Sequence, residues 1–181
     1  MFIRLHSIPI ASRLIEVLFC VLFLFLTSQI SIPLHPVPIT LQTLGVMIIG
    51  LKFSSRTAFY SVFTYILFGI IGVPVFANLS AGYYVLIGPS GGYLIGFLAA
   101  ATIIGSMKEF LSKQEFKPFL SYFLSSLVGT ILIFIFGVSW LAIHVGFKQA
   151  IISGVLPFII PGIVKSILLA ATLQYLDCTK K

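Results

Sequence analysis

Charge is the first thing this 181-residue chain lacks: 8% of its residues are charged, and only four are acidic. A soluble domain carries roughly 25% charged residues, so this chain cannot cover a water-facing surface. Cysteine is nearly absent too. Cys20 lies in an apolar run and Cys178 near the chain end, with neither metal-ligand spacing nor the makings of a disulfide framework. There is no HExxH pair, no paired aspartates and no nucleotide-binding glycine loop. These absences argue against a metal centre, a hydrolytic metal site and a bound nucleotide cofactor. What remains is apolar: 59% of the chain is hydrophobic and the mean hydropathy is +1.17. A membrane-spanning helix needs about 20 apolar residues, so six would use about 120 and leave about 60 for loops. No Rossmann unit, P-loop ATPase or nucleic-acid-binding module fits beside them. The +7 net charge therefore reads as membrane topology rather than as a nucleic-acid footprint. The fold class expected is an all-α integral membrane protein, residues 1–181 forming one domain in the cytoplasmic membrane.

Six apolar runs stand out, at 14–30, 41–51, 57–71, 91–107, 119–138 and about 155–176. The first, behind Arg4 and Arg13, has the form of a signal-peptide core, but no small-x-small cleavage site follows it. With the N-terminus in the cytoplasm, the inner side receives Arg4, Arg13, Lys52, Arg56, Lys108, Lys113, Lys117, Lys180 and Lys181. The outer side receives Lys148, and Lys165 is left inside the sixth run. That bias follows the positive-inside rule and predicts six transmembrane helices with both termini cytoplasmic.

The outer connections differ in kind from the short, charged inner ones. Residues 31–40 read SIPLHPVPIT; prolines fix the backbone angle and lack an N–H, so this is rigid extended chain. Residues 72–90 read GVPVFANLSAGYYVLIGPS, without one charge. Loops of such length are usually lids or binding loops. Residues 139–154 carry Trp140 and His144 and have room for a short interfacial helix. All the elaborated loops lie on the outer face, where a ligand site is expected. Gly92, Gly96 and Ala100 repeat every four positions on the fourth helix, a spacing for close packing within the chain or, alternatively, for a dimer interface.

Lys165 is the most informative polar residue. Ten residues at 1.5 Å rise place it about 15 Å deep, near mid-membrane, where a lysine costs roughly 2.5–3.5 kcal/mol on insertion scales. Either its stem snorkels to the surface or its charge serves an anionic ligand; Glu16 is the sole acidic residue in the six runs. Asn78, Tyr83 and Tyr84 in the uncharged loop are candidate hydrogen-bonding groups, or else a turn residue and interfacial tyrosines. Thr40, Gln42 and Thr43 open the second helix, where Thr40 suits a cap, and Tyr93 stands near the start of the fourth. Gly88-Pro89-Ser90-Gly91 also fits the GxSG of rhomboid-type intramembrane serine proteases. Such a hydrolase needs its serine and histidine within hydrogen-bond reach, and the sixth run holds no histidine.

Three strings are specific: HPVPITLQTLGVMIIGL (35–51), GVPVFAN (72–78) and IGPSGGYLIGFLAA (87–100). Together with GVLPFIIPGIVKS (154–166), they resemble the BioY family, the membrane-embedded, biotin-binding S components of energy-coupling factor transporters. The resemblance covers about residues 28–170. It implies that Lys165 pairs with the valerate carboxylate of biotin, that Asn78 and Tyr84 contact the ligand from the loop, and that Phe76 and Tyr93 lie against its apolar ring. It also implies a transmembrane coupling subunit and two ATPases as partners, since this chain has no ATPase elements. Two departures stand out. The family aspartate three residues before the lysine is Gly162 when aligned without a gap. The first helix lacks the alanines at four-residue spacing through which S components meet the coupling subunit, with Cys20 and Leu24 in the expected register. The alternative reading is therefore a stand-alone facilitative biotin carrier acting as a homo-oligomer.

Overall fold

The computed structural model describes residues 10–179. Arg4, Lys180 and Lys181, which the topology reading placed in the cytoplasm, lie outside the described residues. The chain is almost wholly helical: α1 (Ile10–Gln29), α2 (Gln42–Lys52), α3 (Ser55–Ile70), α4 (Tyr83–Ile87), α5 (Gly91–Lys113), α6 (Pro118–Val145), α7 (Phe147–Gly154) and α8 (Leu156–Cys178). Among the described residues, four helical stretches are long and apolar enough to cross a membrane: Ala11–Gln29, Gly91–Lys113, Pro118–Val145 and Phe147–Cys178. Each of the six apolar runs of the sequence falls on a helix, but α2 has 11 residues and α3 has 16.

Local chemistry sets the boundaries. The Ser54 hydroxyl caps α3 by accepting the Thr57 N–H at 3.2 Å, and Pro118 opens α6 where its missing N–H is no loss. The sequence reading ended the fifth helix at 138, but α6 runs on to Val145, so Trp140 and His144 are helical rather than in a loop. Nothing between Val138 and Val145 breaks a helix; Gly146, with φ +80°, does. The 31–40 segment is a small antiparallel ribbon, β1 (Ser31–Ile32) pairing with β2 (Ile39–Thr40).

The helices pack around α5, chiefly against α6. Glycine permits this. A Cβ on Gly96 would stand 2.9 Å from the Ile133 Cα, so the small residues of α5 serve packing within the chain. At one end of the bundle the basic helix termini converge: the Lys108 ammonium donates to the Leu51 carbonyl at 2.9 Å and sits over the Tyr122 ring, and the Tyr122 hydroxyl donates to Asp177. The ribbon, the 72–90 segment and the α6–α8 turn gather at the other end. Cys20 and Leu24 are fully buried within the chain, which corrects the register expected for α1. Its outward face is Leu14, Leu18, Phe19, Leu22 and Leu26. From Val17 to Leu26 the helix is apolar on every side, which gives hydropathy no way to tell its two faces apart there.

Candidate functional site

The loop end holds a cavity of about 210 Å³. The ribbon and the start of α2 supply Val37, Thr40, Gln42 and Thr43; the 72–90 segment supplies Phe76, Asn78 and Ser80; α5, α6 and α8 supply Tyr93, Phe97, Phe134 and Phe158. The wall is thus mainly aromatic and aliphatic with a few polar groups, the make-up of a small-molecule site.

The 72–90 segment is held by polar groups that the apolar pattern concealed. Ser28 and Tyr65 both donate to the Val75 carbonyl at 2.8 Å. Gln29 Nε2 donates to the Phe76 carbonyl at 3.0 Å, and its Oε1 accepts the Leu79 N–H at 3.0 Å. Between these anchors the backbone turns left-handed at Asn78 (φ 58°) and Leu79 (φ 54°), a conformation Asn tolerates and Leu resists. The amide of Gln29 clamps this turn and presents Asn78, whose Oδ1 accepts the Ser31 hydroxyl at 3.0 Å. Ser28, Gln29 and Tyr65 escaped the sequence reading. The polar pair closing an apolar run was the available signal.

Of the nine candidates named from the sequence, the structure brings Thr40, Gln42, Thr43, Phe76, Asn78 and Tyr93 to the cavity wall. Gln42 is 4% exposed, and its Nε2 has no hydrogen-bond partner among the described residues. The Tyr65 phenol beside it donates to the Val75 carbonyl, and its oxygen is the neighbouring group toward which the Gln42 amide is turned. A buried unpaired donor is costly, so this amide is poised for an acceptor. Tyr93 donates to the Gly154 carbonyl at 2.8 Å and stacks on Phe158, so its ring face lines the cavity while its hydroxyl is spent on structure. Tyr84 is exposed, on α4, and does not line the cavity.

Lys165 is half-buried at the tenth position of α8. It lines a second, small cavity of about 20 Å³, shared in part with the first through Thr43, Ile133, Phe134 and Phe158. Its ammonium donates to the Thr40 carbonyl and the Thr43 hydroxyl, both at 2.8 Å, so it reaches across to the ribbon rather than snorkelling. Both partners are neutral oxygens, and the positive charge stays uncompensated by either. Thr40 also accepts the Gln42 N–H on its hydroxyl at 3.2 Å. Gly162, at the place of the family aspartate, borders the small cavity, where a Cβ would meet Thr130 Cγ2 at 3.2 Å.

The far wall is latched to α6. Trp140 Nε1 donates to the Gly88 carbonyl at 3.0 Å, and His144 Nε2 lies 2.9 Å from the Ile87 carbonyl. His144 thus faces the backbone oxygens of Ile87 and Trp140, to one of which a neutral imidazole donates, rather than Ser90, and the pairing a serine hydrolase requires is not built here.

The model of the BioY family matches residues 4–180. The chain belongs to the BioY family. It is 41% identical over 165 residues to the probable biotin transporter BioY of Pyrococcus horikoshii, covering 88% of this chain and 96% of that one. It is 39% identical over 144 residues to the biotin transporter BioY of Thermotoga maritima, covering 79% and 82%. Among solved structures it resembles the S-component for biotin from an ECF-type ABC transporter, with TM-score 0.81, 27% identity, and coverage of 92% of this chain and 91% of that one. With its long apolar helices, this BioY chain is a multi-pass protein of the cell membrane.

Proposed function

We propose that the chain captures biotin from outside the cell and delivers it across the membrane as the S component of an ECF-type transporter. It is a transport protein rather than an enzyme. The observation that carries the reading is the cavity at the loop end, where the Gln42 amide sits on an aromatic wall and the Lys165 ammonium, with no carboxylate among its partners, lies in the small adjoining cavity that shares Thr43 and Phe158 with it. Biotin offers the complementary set: a ureido carbonyl, an apolar sulfur ring and a carboxylate. In this assignment Lys165 takes the carboxylate, Gln42 and Asn78 take the ureido head, and Phe76 and Tyr93 cover the ring. Thr40 shapes the floor, and Tyr84 closes over the ligand from the loop. With no carboxylate at Gly162, the ureido N–H groups are left to amide oxygens such as those of Gln42 and Asn78. The ligand needs no metal or nucleotide in this chain; ATP is used by the partner ATPases.

The topology that goes with this role has all six helices, α1, α2, α3, α5, α6 and α8, crossing the bilayer, with both termini cytoplasmic and the cavity facing out. Arg13, Lys52, Arg56, Lys108, Lys113 and Lys117 stand on the inner side of that arrangement, as the positive-inside rule asks. A coupling subunit and two ATPases complete the transporter. One observation favours a second reading, a stand-alone homo-oligomeric carrier: the outward face of α1 is bulky leucine and phenylalanine rather than alanine. Uptake of labelled biotin into cells lacking their own importer, with and without the ATPase module, separates the two. Uptake by the chain alone supports the carrier; uptake only with the module supports the S component; neither uptake nor binding refutes the biotin assignment.

A further inference from the structure

We infer that Thr43 is a specificity-determining residue that joins the Lys165 charge to the ligand carboxylate. The inference rests on the biotin reading above and assigns a role to a residue that reading leaves idle. Among the described residues, Thr43 is the only polar one that lines both the large cavity and the small one holding Lys165; the other shared residues are Ile133, Phe134 and Phe158. Its hydroxyl oxygen already accepts from the Lys165 ammonium at 2.8 Å. A hydroxyl that accepts one hydrogen bond still has its own hydrogen to donate. Polarised by the adjacent ammonium, that hydrogen suits a carboxylate in the large cavity, and such charge-assisted bonds are the strong ones. Lys165 spends a second N–H on the Thr40 carbonyl, which keeps the ammonium at the cavity wall and leaves one N–H free. Thr43 and Lys165 thereby form one carboxylate-reading unit split between α2 and α8.

The test is binding of biotin and of biotin amide to the purified full chain and to its Thr43→Val, Thr43→Ser and Lys165→Met variants. Thr43→Val keeps the side-chain volume and removes the hydroxyl. Biotin affinity should fall about tenfold, one charge-assisted bond's worth, while biotin amide affinity stays within about twofold. Thr43→Ser should restore the parent's preference for the acid. An equal loss for acid and amide in Thr43→Val would mean that the threonine only shapes the wall, and overturns the inference. So does an unchanged acid-to-amide ratio. If Lys165→Met collapses that ratio while Thr43→Val does not, Lys165 reads the carboxylate alone and the biotin assignment stands. If the parent binds neither probe, the biotin reading fails first and the inference with it. Should Thr43→Val not fold, Thr43→Ala measured the same way decides.

Discussion

Gln29 holds Leu79 across 50 residues of sequence: the side-chain Oε1 at the end of α1 accepts the Leu79 N–H at 3.0 Å. The same amide donates to the Phe76 carbonyl, so one side chain ties down both ends of the left-handed turn that carries Asn78. The 72–90 segment is thus fastened to the end of α1.

Gln29→Met keeps the length of the side chain and removes both bonds. Each net bond is worth about 0.5–1.5 kcal/mol, so the loop should loosen and biotin affinity should fall roughly tenfold. Hydrogen exchange at the Leu79 amide gives the direct readout. Protection equal to the parent's would show that the turn holds without the clamp.

Lys165→Met removes the charge and roughly keeps the stem. Loss of a charge-assisted bond of about 1.5–3 kcal/mol corresponds to roughly 10- to 150-fold weaker biotin binding. The fold should lose little, because the hydrogen bonds given up to Thr40 and Thr43 are offset by no longer burying an ammonium that costs roughly 2.5–3.5 kcal/mol at mid-membrane. Titration calorimetry and thermal unfolding in detergent measure the two effects separately. Parental affinity in the variant would place the carboxylate elsewhere.

Gln42→Leu should move stability and binding in opposite directions. The parent buries an amide nitrogen without a partner, a cost of about 1–3 kcal/mol, and the substitution relieves it. The ligand-free variant should therefore melt no lower than the parent while losing at least about tenfold in affinity. A lower melting point with binding intact would make Gln42 a structural group.

Gly96→Val tests the α5–α6 seam. The atoms in the way belong to the Ile133 backbone, at 2.9 and 3.2 Å from the new Cβ, and backbone cannot turn aside. The helices must part, at a cost of about 1–3 kcal/mol or more, seen as a lower unfolding temperature of the monomer. Unchanged monomer stability with lost cross-linking between copies would instead make the glycine stripe a dimer contact.

Local signals were legible in the sequence and long-range partners were not. The prolines of 31–40 read as extended chain, and the apolar runs located the helices. The end of α6 was misplaced because polarity rises at Ser139 while the helix needs a breaker, and none comes before Gly146. Lys165 announced itself as a lone ammonium in a span. Its partners Thr40 and Thr43 lie 125 and 122 residues away, and no spacing rule connects them. Six candidates meet at the cavity, whereas Tyr83 and Tyr84 stay exposed on α4. The α1 register failed for a different reason: with apolar side chains on all sides, only packing against α2 and α3 decides which face turns in.

Trp140 is the only tryptophan in the chain, and its indole N–H is fastened to the Gly88 carbonyl, at the elbow between α4 and α5. The protein therefore carries a built-in optical reporter near the end of the segment that supplies Phe76, Asn78 and Ser80 to the cavity. Whenever that elbow lifts, the indole loses its acceptor and its surroundings change, so intrinsic emission follows the opening without any attached dye. Ligand entry and elbow movement become separable events in a stopped-flow trace, one read by a labelled ligand and the other by the protein's own light.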